Sequence, residues 1–503
     1  MYKPTSSRAA LSLSRRSLHT KVERSYNDVI NLLNSSQAGF RQVESWRRAG
    51  VIPNERDITQ MKGWLHQLGY TPADLNRLNV IHISGTKGKG STSALTSSIL
   101  NAYRLSPHHR APTRVGLYTS PHLTSVRERI RLDESPISEA LFARYFSDVW
   151  DSLGLGAGDV QPPGYFRLLT LLSFHVFMSE GVDAAVYEVG VGGAFDATNV
   201  FESPVATGTV SLGVDHVGQL GATLREIAWH KAGVMKAGAP AFTAPQDPEA
   251  MEVLRARAEE VGVPLVEVGV NPGLRNVAVR PDEEFQRRNA SMAMELAATL
   301  MRRLGVEVDL EGERLPREMV EGIEGVNWRG RCETLVAGGQ TWYLDGAHTE
   351  ESLDVACRWF GRVSKERDTP CALIFNQQAG RDAVDMLRRV HRHLSASNIQ
   401  INHAVFCTNV TNKDTSTKPD LVNVNVDPDV LAKLTLQNEL AETWRALDPS
   451  TDVAVVPSIE EAVQQVREKE QLQVFVTGSL HLVGGVLSVL EGDDSGLKSA
   501  VGE

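Results

Sequence analysis

Residues 80–100 read VIHISGTKGKGSTSALTSSIL, and this stretch sets the class of the fold. Val80, Ile81 and Ile83 form a short apolar run that predicts a buried strand, while Ala94, Leu95, Ile99 and Leu100 recur at helical spacing. GTKGKGS lies between them. Its glycines, Gly85, Gly88 and Gly90, let the backbone approach a ligand closely and turn successive N–H groups toward an anion at a helix N-terminus. Lys89 adds a point charge suited to phosphate, and the Ser91 and Thr92 hydroxyls lie within reach of a phosphate or metal oxygen. The stretch reads as a phosphate-binding loop with one departure. Gly90 separates the lysine from the hydroxyl residue, whereas the common loop sets them side by side.

Outward from this loop, strands and helices alternate. Helix-like spacing runs over Ser25–Gly50 and again over Ile58–Leu68. Arg114–Leu132 starts as a strand and breaks at Ser120-Pro121. A helix over Phe166–Met178 feeds a strand, Ala184–Val189, that ends in Gly190, Gly192 and Gly193. The strand Val205–Leu212 runs into Gly213, Asp215 and His216, and helices follow at Leu224–Lys231 and Phe285–Leu304. The alternation predicts an α/β fold, a parallel sheet with helices on both faces and ligands at the carboxyl ends of the strands. Gly305–Asn327 is weakly patterned and holds the linker, placed at 316–328. New strands at 341–344, 372–375, 404–407, 453–456 and 473–476 predict a second α/β domain. The expected division is 23–315 for the phosphate-loop domain and 329–503 for the second. Thr411–Val426, polar and rich in Asn, Thr, Asp and Lys, reads as a surface insertion.

A chain of 503 residues exceeds one hydrophobic core, in keeping with two domains. The formal net charge of -10 opposes nucleic-acid binding, which needs a basic footprint. Cys332, Cys357, Cys371 and Cys407 form no CxxC pair, which opposes a disulfide framework or a zinc site. No apolar run reaches transmembrane length. Met1–Val22 contains no acid, and Lys3, Arg8, Arg15, Arg16 and Lys21 sit among serines. That composition matches a mitochondrial transit peptide; a disordered basic tail is the other reading.

Several residues outside the loop can carry chemistry. Glu188 ends an apolar strand, where a carboxylate is partly desolvated and suits a magnesium ion beside a phosphate loop. His216 ends the next strand and could be a second ligand, although imidazole is unusual for magnesium; each can also be a hydrogen-bonded strand-end group. Lys231 shares a helical stripe with Leu224, Ile227 and Ala228, so it either snorkels to solvent or is desolvated. In the second case its pKa falls, and the neutral amine can add carbon dioxide to become a carbamate. In the second domain LDGAH places Asp345 and His348 directly after a strand, with Arg331 ahead of it in WRGR. Together they could close a second wall over a nucleotide.

These residues carry a resemblance. HISGTKGKGST, TSPHL followed by RERI, YEVGVGGAFDATN, LGVDHVGQLG, IAWHKAGVMK, FQRRNA, WRGRCETL, YLDGAHTEES and VTGSLHLVGGVL occur in this order from about Arg24 to Leu490. The chain resembles the folylpolyglutamate synthases of the Mur ligase superfamily, in their eukaryotic form. Two positions depart from the family pattern: Arg329 stands where a proline is common, and Thr349 where bacterial relatives have asparagine.

The resemblance implies an N-terminal phosphate-loop domain and a C-terminal Rossmann-like domain that enclose ATP and folate. It implies an ATP-dependent ligase joining L-glutamate to the γ-carboxyl of tetrahydrofolate tails through an acyl phosphate. It assigns Thr86, Lys87, Gly88, Lys89, Gly90 and Ser91 to the ATP phosphates, Asn289 to the adenine, and Arg331 and Asp345 to ATP from the second domain. Ser120, Glu188 and His216 would hold magnesium, Lys231 would match a lysine carbamylated in relatives, and His348 would lie near the phosphates. A monovalent cation such as potassium, a monomer, and a mitochondrial location in the matrix or on the inner membrane with a second cytoplasmic form complete the expectations. A dihydrofolate synthase acting on dihydropteroate, and a nucleotide-binding protein without turnover, are the alternatives.

Overall fold

The computed structural model describes residues 23–157, 160–312, 314–366, 369–377, 382–413, 419–422, 428–469, 471–492 and 498–499. The leader expected over 1–22 lies outside them. Two sheets organise the chain. The first comprises β1 (Val80–Ser84), β2 (Val115–Tyr118), β3 (Ile130–Leu132), β4 (Ser135–Pro136), β5 (Ala184–Glu188), β6 (Ala206–Thr209), β7 (Ala241–Thr243) and β8 (Leu265–Glu267). Their order is β4-β3-β2-β5-β1-β6-β7-β8. β1, β2, β5, β6, β7 and β8 pair in parallel, and β3 and β4 add an antiparallel margin.

β1 lies inside this sheet between β5 and β6, in register through Ile83↔Glu188 and Ile83↔Gly208. Every residue of β1 and β5 is buried, as continuous Val, Ile and Ala runs require when helices cover both faces. The first helix over the sheet is Lys89–Leu105, which buries Leu95, Ile99 and Leu100. Helices Tyr165–Ser179 and Glu284–Arg303 follow, at the places the periodicity predicts.

The second sheet holds β9 (Glu333–Ala337), β10 (Gln340–Leu344), β11 (Cys371–Phe375), β12 (Ile401–Cys407), β13 (Asp452–Val456), β14 (Gln473–Thr477) and β15 (Lys498–Ser499). Its order is β13-β12-β11-β14-β10-β9-β15, parallel from β13 to β10 and antiparallel beyond. Phe360 stacks on Phe475 with ring centroids 4.6 Å apart at the centre of its core.

The structure departs from the sequence reading in three places. The expected helix over 25–50 is two helices, Tyr26–Ser35 and Phe40–Arg48. Ser36 closes the first by donating its hydroxyl to the Leu33 carbonyl at 2.6 Å, a local bond that competes with helix continuation. The stretch expected as a linker contains a helix, Arg317–Gly325, that packs on Lys89–Leu105. Met319 and Ile323 are buried there, each contributing about 1.5–3 kcal/mol. Gly322 brings its backbone directly against Ile99. The third departure is the insertion. Residues 419–422, expected to face solvent, bond across to the first domain.

Candidate functional site

The phosphate loop is shaped from below by β6 and from the side by a distant helix. Thr86 and Lys87 donate their N–H groups to the Ser211 carbonyl at 2.9 and 3.1 Å. The Thr86 hydroxyl donates to the Gly213 carbonyl at 3.0 Å and accepts from the Gly213 N–H at 3.1 Å. Thr86 is therefore engaged with the loop that follows β6. Lys87 lies 3.6 Å from Asp215. Gly88, with φ 91°, turns the chain into the Lys89–Leu105 helix. A side chain at 88 would be strained and would meet the Asn289 amide, which packs there with its Nδ2 donating to Gln286 at 3.0 Å. Asn289 is thus brought to the turn itself.

Two lysines converge on one carbonyl. Lys89 Nζ donates to the Gly85 oxygen at 3.0 Å, and Lys231 Nζ donates to the same oxygen at 2.6 Å. Lys231 belongs to the Leu224–Ala232 helix, which starts with a Thr223/Glu226 capping box and buries Ile227, Ala228 and Lys231 on one stripe. The lysine is only 2% exposed, which decides between the two sequence readings in favour of desolvation. Burial pushes its pKa well down, the charge of Lys89 adds to this, and Asp215 opposes it. Gly193 explains how the helix comes so close. Its backbone runs against the His230 and Lys231 backbone, where a Cβ would meet the His230 carbonyl at 2.6 Å.

Glu188 ends β5 beside this loop and is 4% exposed. Its Oε2 accepts the Ser120 N–H at 2.9 Å and the Thr119 hydroxyl. Its Oε1 would be 3.5 Å from a Cβ on Gly90, so the carboxylate faces the start of the phosphate-loop helix. Burial raises its pKa, and the charge of Lys89 and the bonds from Thr119 and Ser120 oppose the rise. A buried carboxylate so placed fits a hard divalent cation. His216 sits at φ 53° at the head of a four-residue helix, with 43% of its side chain exposed and Asp215 4.0 Å away. Among the described residues no three His, Cys, Asp or Glu side chains gather as a metal cluster.

The second domain supplies the facing wall. Burial lowers the Arg331 pKa, while Asp345 and Glu188 oppose this across the two domains. Cys332, at φ 46°, takes a backbone region unusual for its type and thereby directs both its N–H (2.8 Å) and its Sγ (3.3 Å) to Asp345 Oδ2. Asp345 Oδ1 accepts from Ala347 N–H at 2.9 Å. Asp345 thus braces the turn that carries Arg331. His348 has Nδ1 2.9 Å from the Gly346 carbonyl. A carbonyl only accepts, so Nδ1 carries a proton and donates it to this bond.

The comparisons bear on this site. A family model described as dihydrofolate synthetase, C-terminal domain, matches residues 331–489. A folylpolyglutamate synthase of Neurospora crassa is 46% identical over 490 residues, covering 94% of this chain and 92% of the relative. The chain belongs to the folylpolyglutamate synthase family. A second synthase of the family, from Candida albicans, is 40% identical over 511 residues, covering 95% of this chain and 98% of the relative. A solved folylpolyglutamate synthase complex with AMPPCP and folate is 23% identical with a TM-score of 0.65, covering 93% of this chain and all of that one, and it shares the fold.

Lys87, Gly88, Lys89, Gly90, Glu188, Lys231 and Asn289 come together around one loop, and Arg331 of the other domain acts electrostatically on Glu188. Trp328 is the residue sequence reasoning left out. Its ring lies 3.5 Å from a Cβ on Gly90, and the Arg131 guanidinium stacks on it at 5.4 Å. The signal was the WRGR stretch, in which only the arginines drew attention.

Proposed function

We propose that this ATP-dependent ligase joins L-glutamate to the γ-carboxyl of a tetrahydrofolate's glutamate tail, retaining folates in the cell for one-carbon metabolism. The observation that carries the proposal is the convergence on the phosphate loop. Lys89 and Lys231 meet at the Gly85 carbonyl, with Glu188 beside them and Arg331 opposite. The solved synthase complex with AMPPCP and folate supports a nucleotide and a folate as ligands.

Lys89, the N–H groups at the head of its helix, and Ser91 would bind the ATP phosphates; Arg331 would orient the γ-phosphate from the second domain, with Asp345 holding its turn. Ser120 and Glu188, with His216 by family analogy, would hold a magnesium ion, which neutralises phosphate charge when bound. The folate γ-carboxylate attacks the γ-phosphorus, ADP leaves, and an acyl phosphate forms. The glutamate amine, in its neutral form, attacks the acyl carbon. Phosphate then leaves with the bonding pair, and the nitrogen gives up a proton. The second domain excludes water that would hydrolyse the acyl phosphate. His348, by family analogy, would lie near the phosphates.

The neutral Lys231 amine would add to the carbon of carbon dioxide and lose one proton, becoming a carbamate anion near the metal residues. Its low exposure and depressed pKa support this. The proposal extends to a monomer, checked by light scattering, and to a mitochondrial address carried by residues 1–22 with a second cytoplasmic form. Fusing those residues to a fluorescent protein tests the address.

A second reading, dihydrofolate synthase, is favoured by the description of the family model over 331–489. One assay separates the two: ATP and labelled glutamate with tetrahydrofolate in one reaction and dihydropteroate in another. Extension of tetrahydrofolate is the expected result. Label on dihydropteroate alone transfers the assignment to the second reading, and label on neither refutes both.

A further inference from the structure

The insertion after β12 reaches into the first domain through Asp420. Its carboxylate Oδ1 accepts the Tyr26 hydroxyl at 2.6 Å, the Val126 N–H at 2.8 Å and the Ser125 hydroxyl at 3.1 Å. Around it, the Pro419 carbonyl accepts from Asn34 at 2.8 Å and the Val422 carbonyl from Gln37 at 3.1 Å. The Asp420 carbonyl lies 2.9 Å from His122 Nε2, while Arg129 Nε donates to His122 Nδ1 at 2.9 Å. Arg129 can only donate, so His122 carries its proton on Nε2 and gives it to Asp420.

The loop that receives Asp420 is the one that holds Glu188. Glu128 gathers the Leu123, Thr124 and Ser125 N–H groups at 2.9 Å each, and Ser120 N–H of the same loop bonds Glu188. Without Asp420 the Val126 N–H, which belongs to a residue with no exposure, loses its acceptor.

We propose that Asp420 is a positioning residue of the ligase: from the second domain it completes the 119–129 loop and so fixes Glu188 for the reaction. The loop is then fully assembled only when the two domains are together. The inference rests on the ligase reading above, and its test separates the two failures.

Asp420→Ala, Asp420→Asn and Tyr26→Phe are compared with the unaltered chain for glutamate ligation, KM for ATP, and ADP released per glutamate joined. For Asp420→Ala the expected result is a fall in kcat of roughly tenfold, with surplus ADP, because a charge-assisted set of bonds is lost. Tyr26→Phe in that background should add little, since its partner is already gone. Should Asp420→Ala fail to fold, Asp420→Leu, which removes the acceptor but keeps side-chain bulk, replaces it in the same cycle. Wild-type kcat and ADP ratio in a folded variant overturn the proposal, as does a Tyr26→Phe effect that simply multiplies. Absence of ligation in the unaltered chain would sink the ligase reading itself, and Asp420 with it.

Discussion

Replacing Lys231 with methionine tests the energetics of the site most directly. The amine is removed from a position that is 2% exposed and 2.6 Å from the Gly85 carbonyl, while Lys89 remains on that carbonyl at 3.0 Å. The folded-state pKa lies well below the usual lysine value because burial disfavours the charge. Between that depressed pKa and the unfolded value near ~10.4, the unfolded chain holds a proton that the folded chain does not. Stability of the unaltered protein must therefore rise with pH in this window, by at most about 1.4 kcal/mol per unit for one proton. From pH 7 to 9 the ceiling is roughly 2.7 kcal/mol. Lys231→Met has no such proton, so the difference between the two chains should carry this slope. Urea unfolding in bicarbonate-free buffer measures it, with bicarbonate added in a second series. Bicarbonate should stabilise the unaltered chain alone if a carbamate forms. Ligation by the variant should fall at least about 100-fold, the scale of losing a preorganised charged group. Parallel stability profiles would falsify the neutral-amine reading, and equal responses to bicarbonate would remove the carbamate.

Glu188→Gln removes a carboxylate whose pKa burial has raised. An acid with a raised folded-state pKa loses stability as pH rises through that value, so the variant should melt higher at pH 7, by about 2–4 °C per kcal/mol recovered. The added stabilisation by magnesium and ATP should disappear, and a thermal scan with and without them reads both effects. Gly88→Ala places a side chain at φ 91° against Asn289 and should cost about 1–2 kcal/mol from the backbone alone. ATP titration of ligation should show a raised KM. Gly322→Leu forces the Arg317–Gly325 helix off Ile99; overpacking of this kind costs about 1–3 kcal/mol, visible as a lower denaturant midpoint.

What could be read from the sequence follows the range of the forces. β1, β5 and the phosphate-loop helix were legible because their apolar runs and periodicities are local. Lys231 was legible as a choice, since a stripe with Ile227 and Ala228 says inward but not how far. The Arg317–Gly325 helix was not legible. Its glycines and acids give poor intrinsic propensity, and it is held by contact with Ile99, which lies over 200 residues earlier. Asp420 was hidden for the same reason: in a polar stretch an aspartate looks solvated, and only the fold brings Tyr26 and Val126 to it. Asn289 was assigned to the adenine by resemblance, and the structure adds that its amide packs against Gly88.

Gly90 can now be given a physical reason. A Cβ there would sit 3.5 Å from both Glu188 Oε1 and the Trp328 ring, an ordinary contact, so the glycine is not demanded by the protein's own packing. Gly90 also lies outside the left-handed positions of the chain, so backbone freedom does not explain it. What the missing side chain leaves is room between a carboxylate of the first domain and an aromatic ring at the entry to the second. The Lys89 and Arg331 charges both act on the Glu188 carboxylate that borders this room. Two cations acting on an acid beside a space kept free of carbon suit the phosphoryl transfer proposed above, and one of them, Arg331, comes from the second domain.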